Sequence, residues 1–353
     1  MKRFALLLAL ASLSLPLAVS AQDATPEAEG MVEVAAIDLP VVDPLAVSGD
    51  IVSAGSSTVF PLAEAIAELF REEGYAGNIT IDSIGSGAGI ERFCVAGETD
   101  IANASRAIEA EEVEQCAAIG REVIEFRVGT DALTVAVSAE NDFVTDLTQE
   151  QLFQIFSGAA ATWADVDPSF PAEPIQLFSP GSDSGTFDYF VEAIFEGAGA
   201  LEGDEASSAL LNAANIQLSE DDNVLVQGVQ GSPYAIGYFG YAYYNENADT
   251  LTAVSVDGIA PTEETAENGE YPLARPLFLY SAASILQEKP QVADFIGYFL
   301  GNVNDVIIDV GYFPASVEAL NEGKAHYLAA IGMEDLIPAE VLEMMEAEAT
   351  PAS

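Results

Sequence analysis

Basic residues are scarce in this sequence. Ten lysines and arginines stand against 58 aspartates and glutamates, which gives the 353-residue chain a formal net charge of −48. Proteins that bind nucleic acids neutralise phosphates with lysine and arginine, so this composition excludes nucleic acid as an expected partner. Half of the residues are hydrophobic, and the acidity therefore does not indicate disorder. We interpret the excess of carboxylates as a solvated surface.

Histidine and cysteine, which build many catalytic and metal sites, are also rare. The single histidine, His326, lies near the end of the chain, and nothing in the sequence pairs it with a nucleophilic serine. No group of histidine, cysteine and carboxylate residues has the spacing of a metal site. The run Glu109, Glu111 and Glu112 is typical of a solvated helix face. We therefore predict a protein that is not an enzyme and that uses no metal or cofactor.

Long apolar runs are missing after the first 21 residues. The apolar run 4–15 follows two basic residues and precedes small ones, which is the pattern of a secretory signal peptide cleaved after Ala21. We expect a periplasmic or extracellular protein. In that oxidising setting, Cys94 and Cys116 favour one disulfide bond; the alternative is a pair of buried thiols.

Strand and helix signals alternate through the middle of the chain. Short apolar runs such as DIVSAG and DALTVAVSA are typical of strands, and TVFPLAEAIAELF has apolar residues at helical spacing. This alternation indicates an α/β fold. Outside it lie an alanine-rich, acidic segment at 22–47, interpreted as a linker, and an acidic segment at 332–353, interpreted as a helix and tail.

Three turns between a predicted strand and a predicted helix are rich in glycine, serine and threonine. Such turns can direct backbone N–H groups and hydroxyls towards one anion, and in α/β sheets they gather at the carboxyl ends of strands. One such turn is more often a simple helix cap, but three in one chain favour an anion site. The candidate residues are Ser57 and Thr58, then Ser86, then Ser184, Gly185 and Thr186.

A cation stands at the end of another predicted strand, where Arg106 follows Ser105, and we expect both residues in the ligand site. Because the chain has so few cations, a guanidinium beside hydroxyls is a candidate for a two-pronged clamp on an oxyanion. The alternative is a salt bridge between Arg106 and a nearby carboxylate, and the sequence leaves both open.

Four stretches together resemble the periplasmic phosphate-binding proteins of ABC transporters. They occur in the family's order between about residues 48 and 331: SAGSSTVFPLAEAIAELF, IDSIGSGAGIERFCVAGETDIANASRAI, SPGSDSGTFDYF and DDNVLVQGVQGSPYAIGYFGYAYY. The resemblance implies a two-lobed periplasmic-binding-protein fold of type II, with two hinge strands and phosphate between the lobes. We expect lobe one at 48–133 plus 277–331 and lobe two at 134–276. The family's ligand positions match Thr58, the Val59 backbone, Ser86, Ser184, Gly185 and Thr186.

The sequence departs from the family at two positions. Many members have an aspartate where this chain has Arg106, and an arginine where it has Pro180. The resemblance therefore suggests that Arg106 supplies the cation from another loop. A carboxylate that accepts the proton of monohydrogen phosphate would favour that ion over sulfate. Asp183 and Asp222 are the candidates for this acceptor, and the alternative for each is a helix cap.

The expected function follows from the resemblance. It implies a monomeric solute-binding protein that captures inorganic phosphate and delivers it to the membrane permease of an ABC transporter. One alternative is a binder of another tetrahedral oxyanion, such as sulfate or arsenate, and another is a secreted phosphate scavenger without a transporter. A phosphatase is the enzymatic alternative, and the sequence offers it no base beside a serine.

Overall fold

The structure is a computed structural model that describes residues 35–182, 184–199, 201 and 203–342. The predicted signal peptide, residues 1–21, and Asp183 lie outside the described residues. Within the described ranges, no helix combines the length and the hydropathy needed to cross a membrane.

Strands and helices alternate along the chain, as the sequence predicts. The strands are β1 (Asp50–Gly55), β2 (Asn78–Ser83), β3 (Ile101–Ala104), β4 (Val123–Ser138), β5 (Asp146–Leu147), β6 (Gln176–Ser179), β7 (Ile216–Leu218), β8 (Ala235–Gly240), β9 (Leu251–Ala253), β10 (Ser255–Val256) and β11 (Ala274–Ala282). The α-helices are α1 (Phe60–Glu72), α2 (Ser86–Glu91), α3 (Ala110–Ala118), α4 (Gln149–Phe156), α5 (Trp163–Val166), α6 (Gly185–Phe190), α7 (Gly203–Leu211), α8 (Asp222–Gln230), α9 (Tyr241–Glu246), α10 (Glu263–Glu267), α11 (Ala283–Glu288), α12 (Pro290–Val310) and α13 (Val317–Ala330). Two π-helical segments, Arg92–Ala96 and Val191–Ala198, continue α2 and α6, and 3-10 helices cover Pro44–Ala46 and Glu334–Leu336.

One mixed sheet joins nine of these strands in the order β2-β1-β3-β11-β4-β8-β6-β7, with β9 also paired to β4. Strand β1 is parallel to both β2 and β3, so its last residue, Gly55, lies opposite Ser83 and Asn103. The chain therefore leaves three parallel strands at one edge of the sheet, where ligand sites of such sheets occur. In the other half of the sheet, β6 is parallel to β7 and β8.

Two antiparallel strands, β4 and β11, connect two hydrophobic cores. Strand β4 is 16 residues long, and residues 128–138 within it are all buried. Its Phe126 belongs to the first core, together with β1–β3, α1 and α12, whereas its Leu133 belongs to the second core, together with β6 and α4. The fold is therefore mixed α/β and two-lobed, with two strands shared between the lobes, as expected.

Local sequence signals explain individual helices. In α1, the predicted apolar face of Leu62, Ile66 and Phe70 is buried, and a proline stands in the first turn. Helix α4 begins with a capping box, in which Thr148 and Gln151 exchange hydrogen bonds. The buried apolar face of α1 fixes that helix against the first core.

The disulfide prediction is confirmed. Cys94, in the π-helical segment after α2, is bonded to Cys116 on α3, and both residues are fully buried. The bond ties the helix that follows the second glycine-rich turn to the next helix of the same core.

Both predicted terminal segments contribute to the first core. Within the predicted linker 22–47, Ile37 is buried, its N–H donates to Asn321 Oδ1 at 2.7 Å, and its carbonyl accepts from Lys324 Nζ at 3.0 Å. In the predicted C-terminal helix and tail, Ile337 and Val341 are buried in the same core. The described part of each segment thus packs against the protein rather than extending from it.

Candidate functional site

The first loop, residues 56–59, connects β1 to α1. The Ser56 hydroxyl accepts hydrogen bonds from the backbone N–H groups of Thr58, at 3.2 Å, and Val59, at 3.4 Å. Gly55 has φ +148°, and a Cβ there would lie 2.0 Å from the carbonyl oxygen of Asn103. Only glycine therefore lets β1 end this close to β3. Burial raises the pKa of Asp188 on α6, and interactions with Arg275 and with the Ser57 side chain oppose that rise.

The second loop connects β2 to α2 and contacts the end of β3. Gly85 adopts φ +89° immediately before Ser86, the first residue of α2. The Ser86 hydroxyl accepts from the N–H of Ser105 at 3.1 Å and lies 3.3 Å from the Ser105 hydroxyl. Two of the predicted ligand-binding hydroxyls are thus adjacent, although they are separated by 19 positions in the sequence.

The third loop belongs to the second lobe and meets the first loop. The Ser184 hydroxyl caps α6 by accepting from the N–H of Thr186 at 3.2 Å. A Cβ on Gly185 would lie 3.3 Å from the backbone nitrogen of Thr58. The loops of the two lobes are therefore in contact at this point.

Arg275, on strand β11, lies where these loops converge. Its Nη2 donates to the Thr58 hydroxyl and to the Gly185 carbonyl, the latter at 3.2 Å, and its Nη1 donates to the Ser105 hydroxyl at 3.4 Å. The residue is 7% exposed. One guanidinium thus contacts the first loop, the end of β3 and the third loop.

A carboxylate and an aromatic ring hold Arg275 in place. Asp131 lies directly opposite on β4, and its Oδ2 accepts from Arg275 Nε at 3.2 Å. The guanidinium carbon lies 3.8 Å from the centre of the Tyr189 ring, and Glu192 Oε2 lies 3.8 Å from Nη1. Burial raises the pKa of Asp131, and the charge of Arg275 opposes that rise. A buried guanidinium needs such a partner, and each member of the pair depends on the other.

Arg106 forms an ion pair beside the second loop. Its Nη1 and Nη2 donate to both carboxylate oxygens of Glu112, at 2.9 and 2.7 Å, and Nη1 lies 3.7 Å from Glu109. The hydrogen bonds that Arg106 donates to Glu112 raise the pKa of the guanidinium. A Cβ on Gly87 would lie 3.8 Å from Nη2, so Arg106 is still near the loop. This geometry supports the salt-bridge alternative, and contact between Arg106 and a ligand stays a prediction.

Asp222 is in the first turn of α8 and is not the cap of that helix. Asp221 caps α8 by accepting from the N–H of Asn223 at 3.0 Å, and Asp222 follows in the first turn. Burial, reinforced by the charge of Asp221, raises the pKa of Asp222 to about 6. Its charge also reaches Tyr312, whose hydroxyl donates to the Thr58 carbonyl at 2.9 Å. Its role as a proton acceptor stays a prediction, and the other candidate, Asp183, lies outside the described residues.

Sequence reasoning missed Arg275 and Asp131 as site residues. Both are charged residues within otherwise apolar strand patterns, PLARPLFLY and TDALTVAV. This contrast is the signal by which the sequence could have revealed them as site residues. A buried charge in a strand needs a partner, and the strand register supplies it here.

Two lobes on shared strands, with hydroxyl-rich loops from both lobes around one buried cation, define the architecture of a solute-binding protein with a cleft suited to an anion. Residues 41–303 match the PBP superfamily domain, and the chain therefore belongs to this superfamily.

Curated relatives and a solved structure resemble the chain over most of its length. Protein SphX from Synechocystis sp. is 41% identical over 282 residues, which cover 77% of this chain and 80% of that protein. The phosphate-binding protein PstS of Staphylococcus saprophyticus is 35% identical over 269 residues, which cover 75% of this chain and 80% of PstS. The crystal structure of a "possible phosphate binding protein" from Planctomyces limnophilus is 37% identical, with a TM-score of 0.74, and the match covers 81% of this chain and 99% of that one.

Proposed function

We propose that this protein captures inorganic phosphate between its two lobes, outside the cytoplasm, and delivers it to the permease of an ABC transporter. The observation that carries the proposal is the position of Arg275, which contacts the first and third loops, one from each lobe. A guanidinium that Asp131 fixes at this point, beside hydroxyl and amide donors of both lobes, is suited to a small oxyanion.

The ligand set combines this cation with donors from four chain segments. Backbone N–H groups at helix N-termini carry partial positive charge, and they strengthen as a closing cleft excludes water. A protein with a large negative charge can therefore bind an anion through local donors alone. Besides Arg275, the proposed ligand-binding residues are Ser57, Thr58, Val59, Ser86, Ser105, Ser184, Gly185 and Thr186. Arg106, the cation predicted from the sequence, is paired with Glu112, and we expect it to add little to the affinity.

Capture and delivery require two arrangements of the lobes. Because donors come from both lobes, phosphate stabilises the closed arrangement, and the closed form of a monomer docks on the permease. The proposal includes the boundaries given above, with lobe one at 48–133 plus 277–331 and lobe two at 134–276. Binding without chemical conversion is in keeping with the superfamily and with the name of the PstS relative, a phosphate-binding protein.

Calorimetric titration of the mature protein with phosphate, arsenate, sulfate and molybdate tests the proposal. We expect phosphate to bind far more tightly than sulfate, because monohydrogen phosphate offers a proton that Asp222 or Asp183 can accept, and sulfate carries none at neutral pH. Arsenate, which is protonated like phosphate, should bind next best. Equal affinities for phosphate and sulfate would leave a general oxyanion binder, and no heat with any of the four would overturn the proposal.

A further inference from the structure

A cavity of about 520 Å³ lies between α9, α10 and the end of α12. Residues of α9 and Glu263 of α10 line one side, and residues 308–314, at and after the end of α12, line the other. None of the three glycine-rich loops contributes to its lining, but Tyr312 of the wall donates to the Thr58 carbonyl of the first loop at 2.9 Å. The cavity therefore adjoins the proposed phosphate site at Tyr312 and shares none of its proposed ligand residues.

Aromatic side chains form much of the cavity wall. Tyr241, Tyr243, Tyr312 and Phe313 all line it. The rings of Tyr241 and Phe313 are 4.5 Å apart between centroids, so the two sides of the cavity are in aromatic contact. The faces of such rings carry negative charge density and attract cations.

The remaining charges of the cavity have the same sign. Glu246, Glu263 and Asp309 line it, and none of them takes part in an ion pair within the described ranges. The 21-residue helix α12 ends there and adds the partial negative charge of its C-terminus. No lysine, arginine or histidine is among the described residues of the wall. Every electrostatic contribution thus favours a positively charged occupant.

The spacing of these carboxylates argues against a metal ion. Among the described residues, no three histidine, cysteine or carboxylate side chains are grouped closely enough to hold one. Negative charge that is spread around a wide, aromatic-lined space suits a larger organic cation, in which the charged nitrogen carries carbon substituents.

We propose that this cavity binds a compact organic cation with a quaternary or alkylated ammonium group. The rings surround the ammonium group, the carboxylates and the end of α12 balance its charge, and the apolar substituents displace water from the rings. The inference stands on the lining of this cavity and does not depend on phosphate binding at the other site.

Choline and its uncharged carbon isostere, in which carbon replaces the ammonium nitrogen, are the probes. Each is titrated calorimetrically into the mature protein at an ionic strength held constant with sodium chloride. We expect saturable binding of choline and at least tenfold weaker binding of the isostere. Equal binding of the two would mean that the cavity recognises apolar shape alone, and this would overturn the proposal. Absence of saturable heat with both choline and tetramethylammonium would do the same.

Charge variants locate the binding. The double variant Glu246→Gln, Glu263→Gln should weaken choline binding about fivefold or more, because two carboxylates of the wall are lost. The matched control, Glu140→Gln with Glu288→Gln, removes the same net charge from exposed positions outside the cavity and should leave choline affinity unchanged. All four substitutions are on the surface, so folding is retained. Equal losses in both double variants would show non-specific attraction to an acidic protein and would overturn the assignment.

Discussion

The residue that most affects the interpretation of the cleft is Arg275. It joins the loops of two lobes, and its counter-charge, Asp131, is buried on the neighbouring strand. Arg106, by contrast, forms a two-pronged pair with Glu112. Since the two guanidinium groups differ in this way, the same substitution at each position distinguishes a ligand-binding cation from a structural one.

Phosphate affinity should respond to Arg275 and not to Arg106. Charge-assisted hydrogen bonds are each worth about 1.5–3 kcal/mol, and 1.4 kcal/mol is tenfold in affinity, so Arg275→Ala should weaken phosphate binding by roughly 10- to 1000-fold. Arg275→Lys should recover only part, because an ammonium lacks the planar fork. Arg106→Ala should leave affinity nearly unchanged and cost under about 1 kcal/mol of stability. Calorimetry and thermal melting measure both quantities.

A control separates lost binding from lost folding. Arg275→Ala leaves Asp131 buried without its cation, so the double variant Arg275→Ala, Asp131→Asn is measured beside it. If the double variant melts like the natural protein and still binds phosphate tightly, Arg275 is not a ligand residue. A large loss of phosphate affinity in Arg106→Ala would instead support the hypothesis that Arg106 binds the ligand as a two-pronged clamp.

The raised pKa of Asp222 predicts that the stability of the protein changes with pH. Its pKa in the folded protein, about 6, lies above the ordinary value of 3.8, so the folded state holds a proton more firmly than the unfolded state. The stability from this group is complete below about pH 4 and is lost as pH rises through about 6. Asp222→Asn should therefore raise the melting temperature at pH 8 by a few degrees, and hardly at all at pH 4. Asp249→Asn, at an exposed position, controls for the loss of one charge; an equal gain in both variants would contradict the assignment.

Among the elements, the disulfide connects the second loop region to the rest of its lobe. Cys94 and Cys116 are 22 positions apart. Closing a loop of this length lowers the conformational entropy of the unfolded chain and so raises its free energy by about 3 kcal/mol. The variant Cys94→Ala, Cys116→Ala should lose about that much unfolding free energy in urea. A reductant should destabilise the natural protein by a similar amount and leave the variant unchanged. If the reductant acts equally on both, the stabilisation does not come from the bond.

The sequence was sufficient for elements whose signals are local. Helix α1 was predictable because Leu62, Ile66 and Phe70 recur on one helical face, and the loops were predictable from glycine and hydroxyl residues beside strand ends. The pairing of Arg275 with Asp131 was not, because 144 positions separate the residues and only the register of β11 on β4 brings them together. The role of Arg106 could not be decided from the sequence. Its partner Glu112 is only six positions away, as part of a capping box at α3, so the sequence was compatible with a local salt bridge as well as with a ligand contact.

On the scale of the whole molecule, the charge of −48 should govern the rate of phosphate capture. Removal of the predicted signal peptide, with Lys2 and Arg3, would make the mature chain more acidic still. Repulsion should slow the approach of an anion at low ionic strength, and salt screens such repulsion beyond roughly 10 Å at 0.1 M. Association rates from stopped-flow mixing should therefore rise with added sodium chloride, whereas sucrose should not raise them. A rate that falls with salt would mean that a local positive field at the mouth of the cleft dominates.

The position of Arg275 on a strand shared by both lobes also bears on release. When two bodies rotate about a common axis, a point near the axis moves little, and points at a larger radius travel farther. Arg275 and Asp131 are paired across β11 and β4, the strands that connect the two cores, whereas Thr58 and Gly185 lie on loops beyond the strand ends. Opening would thus withdraw hydroxyl and amide donors first and leave the anion beside an almost stationary guanidinium. Phosphate would then leave the protein stepwise, with the hinge as its last point of attachment.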